Sequence, residues 1–101
     1  MTQSEIRTFA MMYQYVPDMA ERRGPYREAH RARLRQANAD GFLVVGGSYD
    51  HPADAALLIV RATDMAAVYA WAGQDPYHQG GLITSVSVRE FNLAFGGPVD
   101  R

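Results

Sequence analysis

The feature that most constrains this chain is the order of its local signals: strand, helix, strand, strand, helix, strand. Ile6 to Tyr15 is dense in apolar and aromatic residues and predicts a first strand, closed by Val16-Pro17. Asp18-Met19-Ala20-Glu21 has the form of a capping box, with Asp18 as N-cap and Glu21 reaching back. Gly24-Pro25 then interrupts, so the helix either starts at Asp18 and kinks or starts with Pro25 in its first turn. In both cases Tyr26 to Ala39 is helical and Asp40-Gly41 stops it. Phe42 to Gly47 predicts a second strand, Ser48 to Asp54 a loop, and Ala55 to Ala62 a third strand. Thr63-Asp64 can cap a second helix over Met65 to Ala72, ended by Gly73. Gln74 to Gly81 reads as a loop, Leu82 to Phe91 as a fourth strand, and Asn92 to Arg101 as a short tail.

The order βαββαβ is that of the split βαβ, ferredoxin-like arrangement, an α+β fold with a four-stranded antiparallel sheet. Residues 1–101 are expected to form one such domain. Alternation in the first strand sets Phe9, Met11, Tyr13 and Tyr15 against Ile6, Ala10 and Met12 on the opposite face. The third strand likewise divides Leu58 and Val60 from Leu57 and Ile59. Two helices cover only one face of such a sheet, and the other is too apolar to be left in water. A homodimer packed through sheet faces is the expected cover.

One polar residue stands out against this plan. Met19, Tyr26, Leu34 and Ala37 mark the inward face of the first helical region, and His30 lies among them. Imidazole fills a core poorly unless a partner satisfies its nitrogens, whether a backbone carbonyl, a water or another side chain. Asp75, at the Asp75-Pro76-Tyr77 turn opening, is the expected partner. Such a pair can act as a general acid/base near neutral pH, the carboxylate orienting the ring and favouring its charged form.

Other chemistries are thinly represented. The chain has no cysteine, which removes disulfides, thiolate nucleophiles and thiolate metal sites. All ten basic residues are arginine, which removes lysine Schiff-base chemistry. A net charge of −1 argues against a nucleic-acid partner. The apolar runs are too short for a membrane span, and Met1 to Thr8 lacks a signal-peptide pattern, so a cytoplasmic location is expected. His51 precedes Pro52 in a loop, and His78 follows Asp75 by three residues; neither has the spacing of a zinc site, so no metal or cofactor is expected.

The run Ala20 to His30 (AERRGPYREAH), the strand Gly41 to Gly47 (GFLVVGG), and Asp75-Pro76-Tyr77 followed by Gly81-Leu82 together resemble the YCII-related family. The likeness runs through nearly the whole chain in order. It implies a ferredoxin-like fold dimerised into an α+β barrel, with a His and an Asp at a cleft that map onto His30 and Asp75. It also implies an architecture like that of muconolactone isomerases, and one class of relatives acts as a dehydrochlorinase on a chlorinated hydroxyhydroquinone. The chain departs from the family at Gly46-Gly47-Ser48, where Gly-Pro is frequent, and at Arg89-Glu90-Phe91, where Pro-Trp is common. The first departure is expected at a pocket rim and the second at a strand exit.

The expected function is that of a cofactor-free acid/base enzyme of isomerase or lyase type, acting on a small organic metabolite through His30 and Asp75. The alternatives are a non-catalytic dimer that binds a small ligand, and a dimeric α+β barrel monooxygenase. Arg27, a turn before His30 and about 60° around the helix, can hold a substrate carboxylate. Tyr13 and Tyr15 from the first strand and Tyr77 from the loop are expected to line the cleft. The row Arg23, Arg27, Arg31, Arg35 follows i, i+4 spacing and is expected to be a solvated face, partly balanced by Glu21 and Glu28.

Overall fold

A computed structural model describes residues 5–96. Its elements are β1 (Arg7–Tyr15), α1 (Met19–Arg22), α2 (Gly24–Ala39), β2 (Leu43–Ser48), β3 (Ala55–Ala62), α3 (Met65–Gly73), α4 (Pro76–Gln79) and β4 (Ile83–Glu90). The strands form one four-stranded sheet in the order β2-β3-β1-β4. Every neighbouring pair is antiparallel, which is the ferredoxin-like arrangement expected from the element order. The tail from Asn92 continues beyond strand β4, and its last residues, 97–101, lie outside the described ones.

Near the start of the long helix one expectation is corrected and one pair of alternatives is resolved. Asp18 makes no side-chain cap, so the capping box does not form; its carboxylate instead meets Arg22 at 3.5 Å. The helix is not merely kinked but divided, with Arg23 between α1 and α2 and Pro25 in the first turn of α2. A proline ring there clashes with the carbonyl four residues back, which ends α1, while its missing N–H falls where a helix start leaves donors unpaired anyway. Gly41, with φ of 86°, closes α2 in a conformation that other residues adopt only under strain. The cap on α3 does form: Asp64 accepts from the Ala67 N–H at 2.9 Å.

The core lies between one sheet face and the helices. Phe9, Met11 and Tyr13 from β1, Leu58 and Val60 from β3, and Val68 from α3 form its buried centre. Alternation puts Ala10, Met12 and Leu57, all half-buried, together with Ile59 on the reverse face, where Met12 pairs with Leu57 and Ala10 with Ile59. No described helix covers that side, and a hollow of about 340 Å³ there is lined by Val45, Leu57, Ile59 and Tyr49 among others.

Candidate functional site

The expected loop between α3 and β4 is instead a turn of helix, α4, and Asp75 is its N-cap. Four residues are too few to show helical periodicity, so only the Asp-Pro start is visible in the sequence. Asp75 Oδ1 accepts from the Tyr77 N–H at 2.9 Å, which fixes the carboxylate's direction. Packing of α4 on α2 then brings it to His30. His30 Nδ1 lies 2.8 Å from Oδ1 and 3.0 Å from Oδ2 of Asp75. Asp75 is fully buried and His30 is 7% exposed. With the carboxylate accepting, Nδ1 carries the hydrogen. Nε2 makes no hydrogen bond among the described residues.

Aromatic rings hold the imidazole in place. Tyr77 stacks on it, with ring centroids 3.8 Å apart and planes 13° apart. Tyr15 meets Tyr77 edge-on at 5.9 Å. His30, Tyr77 and Tyr15 line a cavity of about 320 Å³, at the small end of the range for ligand sites. Gly46, Gly47 and Ser48 of β2 form its opposite wall, so the first family departure does fall at the cavity. Arg89, Glu90 and Phe91 are exposed and do not line it.

Tyr13 is placed differently from the expectation. It shares a face with Tyr15 but is fully buried under the sheet centre and does not line the cavity. Its hydroxyl has no hydrogen-bond partner among the described residues. Burial drives its pKa far above the ordinary phenol value, and the Asp75 carboxylate pushes the same way against Arg33. Tyr15 is raised too, first by burial, then by Tyr77 and Asp75, against Arg23. For Tyr77 burial raises the pKa, and Arg23 and then Arg27 are the main opposing influences.

Below the ordinary phenol pKa of 10.0 the folded and unfolded chains both keep these protons. Above it the unfolded chain ionises first, so stability falls by about 1.4 kcal/mol per pH unit for each strongly raised phenol. Tyr13→Phe removes one such group and should flatten the alkaline decline in Tm, read between about pH 9 and pH 11. At neutral pH it should change stability little, because no hydrogen bond is lost. An alkaline profile identical to wild type would show that Tyr13 ionises equally in both states.

Arg33, which lies outside the i, i+4 arginine row, is the third member of the cluster. Its guanidinium lies 4.1 Å from the Trp71 ring centroid, donates to the Trp71 carbonyl at 2.6 Å, and approaches Asp75 Oδ2 at 4.0 Å. It stands three residues after His30, so i, i+3 spacing is the signal that points to it.

The arginine row is largely solvated as expected, with Arg27, Arg31 and Arg35 exposed, but it has a second setting. Arg23, Arg27 and Arg31 line the cavity, and only Arg35 turns away, paired with Glu28 at 3.0 Å. Glu21 makes no ion pair among the described residues. His78 and His51 are exposed. Among the described residues no group of three His, Cys, Asp or Glu side chains is placed to share a metal ion. No described helix is long and apolar enough to cross a membrane.

Fold and site together define a ferredoxin-like α+β domain with a carboxylate-anchored histidine at a small cavity. The chain belongs to the YCII-related domain family, whose model matches residues 8–92. A Haemophilus influenzae protein of uncharacterised function is 30% identical, with 86% of this chain and 98% of that protein covered. Protein YciI of Escherichia coli is 32% identical, with 77% and 89% covered. Among solved structures, the 5-chloro-2-hydroxyhydroquinone dehydrochlorinase TftG from Burkholderia phenoliruptrix, in complex with 2,5-dihydroxybenzoquinone, has a TM-score of 0.73 at 22% identity, covering 84% of this chain and 93% of that one. A candidate antibiotic biosynthesis monooxygenase from Bacteroides thetaiotaomicron has a TM-score of 0.58 at 8% identity, with 96% and 97% covered. At these identities the structural likeness concerns the fold.

Proposed function

We propose that this protein is an acid/base enzyme of isomerase or lyase type, acting on a small organic metabolite in the cavity beside His30. The observation that carries this reading is the division of labour on the imidazole: Nδ1 is anchored to a buried carboxylate, and Nε2 has no partner among the described residues in a ring that lines the cavity. A neutral imidazole held this way presents a lone pair at Nε2. It would take a proton from an acidic carbon of the substrate. The imidazolium, stabilised by Asp75, would then return that proton to a second atom in an isomerisation. In an elimination the electron pair of the broken C–H bond forms the new double bond as the leaving group departs.

Arg27 would hold an anionic group of the substrate, and Tyr77 would present its ring and, as a neutral phenol, a hydrogen-bond donor. Tyr13, behind this wall, would support rather than touch the substrate. Loss of HCl from 5-chloro-2-hydroxyhydroquinone, the reaction named for TftG, is one that proton transfer serves. The test is a panel of enol-lactones, enones and chlorinated hydroxyhydroquinones in D2O, read by NMR for deuterium uptake and by chloride release. Conversion of one class supports the reading. Binding of several with conversion of none overturns it in favour of a ligand-binding protein.

A homodimer packed through the uncovered sheet face is part of the same proposal. Ala10, Met12, Leu57 and Ile59 make that face apolar over the middle of the sheet. Light scattering should show a dimer at micromolar concentration, and Leu57→Glu, which puts a charge in the middle of the contact, should shift it to monomer. A wild-type monomer at that concentration would overturn the dimer.

A further inference from the structure

The solvated arginine face of α2 is also the charged wall of the cavity. Arg23 precedes α2, and Arg27, Arg31 and Arg35 follow along it at four-residue intervals, each step advancing about 6 Å. Arg35 is satisfied by Glu28 and stands clear of the cavity. Arg23, Arg27 and Arg31 all line it, and none has an ion-pair partner among the described residues. No described carboxylate lines the cavity to offset them; Asp75 lies behind His30 with its oxygens engaged. The facing wall, Gly46 to Ser48, carries no charge.

Like charges spaced one turn apart repel, so this row is destabilising until an anion joins it. All three guanidiniums lie near enough to Tyr77 to oppose the rise that burial causes in its phenol. One ionised group occupies one guanidinium fork, bidentately at best. Three unneutralised forks on one wall exceed what a monoanion requires.

We propose that the cavity takes a small dianion, a ligand with two ionised acidic groups about one helical turn apart, each engaged by neighbouring members of the Arg23, Arg27, Arg31 row. Its body lies against the stacked rings of His30 and Tyr77. The proposal rests on the reading that this cavity is the ligand site, and it narrows the substrate class to diacids. It adds Arg23 and Arg31 to Arg27 as binding residues.

The test is calorimetric titration of the full chain with the three benzenedicarboxylates and with benzoate, at low and moderate salt. The best dicarboxylate should bind about tenfold or more tighter than benzoate, with a preference that shrinks as salt rises. Arg31→Gln should remove most of that preference. Arg35→Gln, on the same helix but outside the cavity, should leave it intact. Both side chains are exposed, so neither substitution threatens the fold. Equal affinity for benzoate and the best dicarboxylate, no binding of any dicarboxylate, or an undiminished preference in Arg31→Gln would each overturn the proposal. Because binding is read without turnover, a dianion preference with no proton transfer on any substrate would overturn only the acid/base reading. Turnover without a dianion preference would overturn only this one.

Discussion

His30→Asn is expected to slow turnover by about 10²- to 10⁴-fold, the range that a positioned acid/base side chain contributes. Asparagine is chosen because its amide N–H₂ can take over the donor role of Nδ1 toward Asp75. The buried carboxylate then keeps a partner while the cavity loses the group at Nε2 that accepts and returns a proton. The loss should fall on kcat, with KM little changed, since the arginines and the Tyr77 ring that would bind substrate remain. A Tm close to wild type would show that the fold survives. Turnover of this variant at near wild-type kcat would remove His30 from the mechanism and leave the anchored imidazole as a structural feature only.

Asp75→Ala should cost about 3–5 kcal/mol of stability, more than is expected of most single substitutions in this chain. The side chain is fully buried and accepts from two donors, His30 Nδ1 and the Tyr77 N–H, with the Arg33 guanidinium 4.0 Å away as a nearby positive charge. Alanine leaves both donors without an acceptor where water has little access, and removes the countercharge beside Arg33. It also removes the cap from α4, the element that carries Tyr77 onto the imidazole. For a domain of this size the loss corresponds to a fall in Tm of more than about 10 °C. Asp75→Asn should cost less, because its carbonyl oxygen can still cap Tyr77 while the charge facing His30 and Arg33 is lost. Equal stability of wild type and Asp75→Ala, measured by denaturant titration, would show that the carboxylate contributes nothing net to the fold and is retained for the imidazole's sake.

The parts of the fold that follow from local geometry are legible in the amino-acid order alone. Strand β3 begins and ends at Ala55 and Ala62 as its apolar run, interrupted only by Arg61, indicates, and Asp64 caps α3 through the Ala67 N–H. Alternation along β1 separates its faces correctly because successive side chains of a strand point opposite ways whatever they pack against. The capping box at Asp18 does not form, its carboxylate meeting Arg22 instead, and Pro25, seven residues on, divides the helix. Helix α4 is too short for periodicity to reveal.

At the site, the residue types are readable but their arrangement is not. A histidine on an apolar helix face demands a partner by its chemistry, and Asp75 is the natural choice. Yet the pair is separated by 45 positions and meets only because α4 packs on α2. Tyr13 and Tyr15 are indistinguishable by alternation; distance from the strand's end puts Tyr15 in the cavity wall and Tyr13 beneath the sheet. Arg31 and Arg35 are likewise equivalent members of one i, i+4 row, and the placement of β2 beside the helix makes one a cavity residue and leaves the other to Glu28. The sequence by itself determined the element order, the buried faces and the histidine's need for a partner, because backbone period and the cost of burying a polar group act locally. Only the tertiary structure decided which groups meet and which cations face the cavity, because those contacts join residues that distant crossovers bring together.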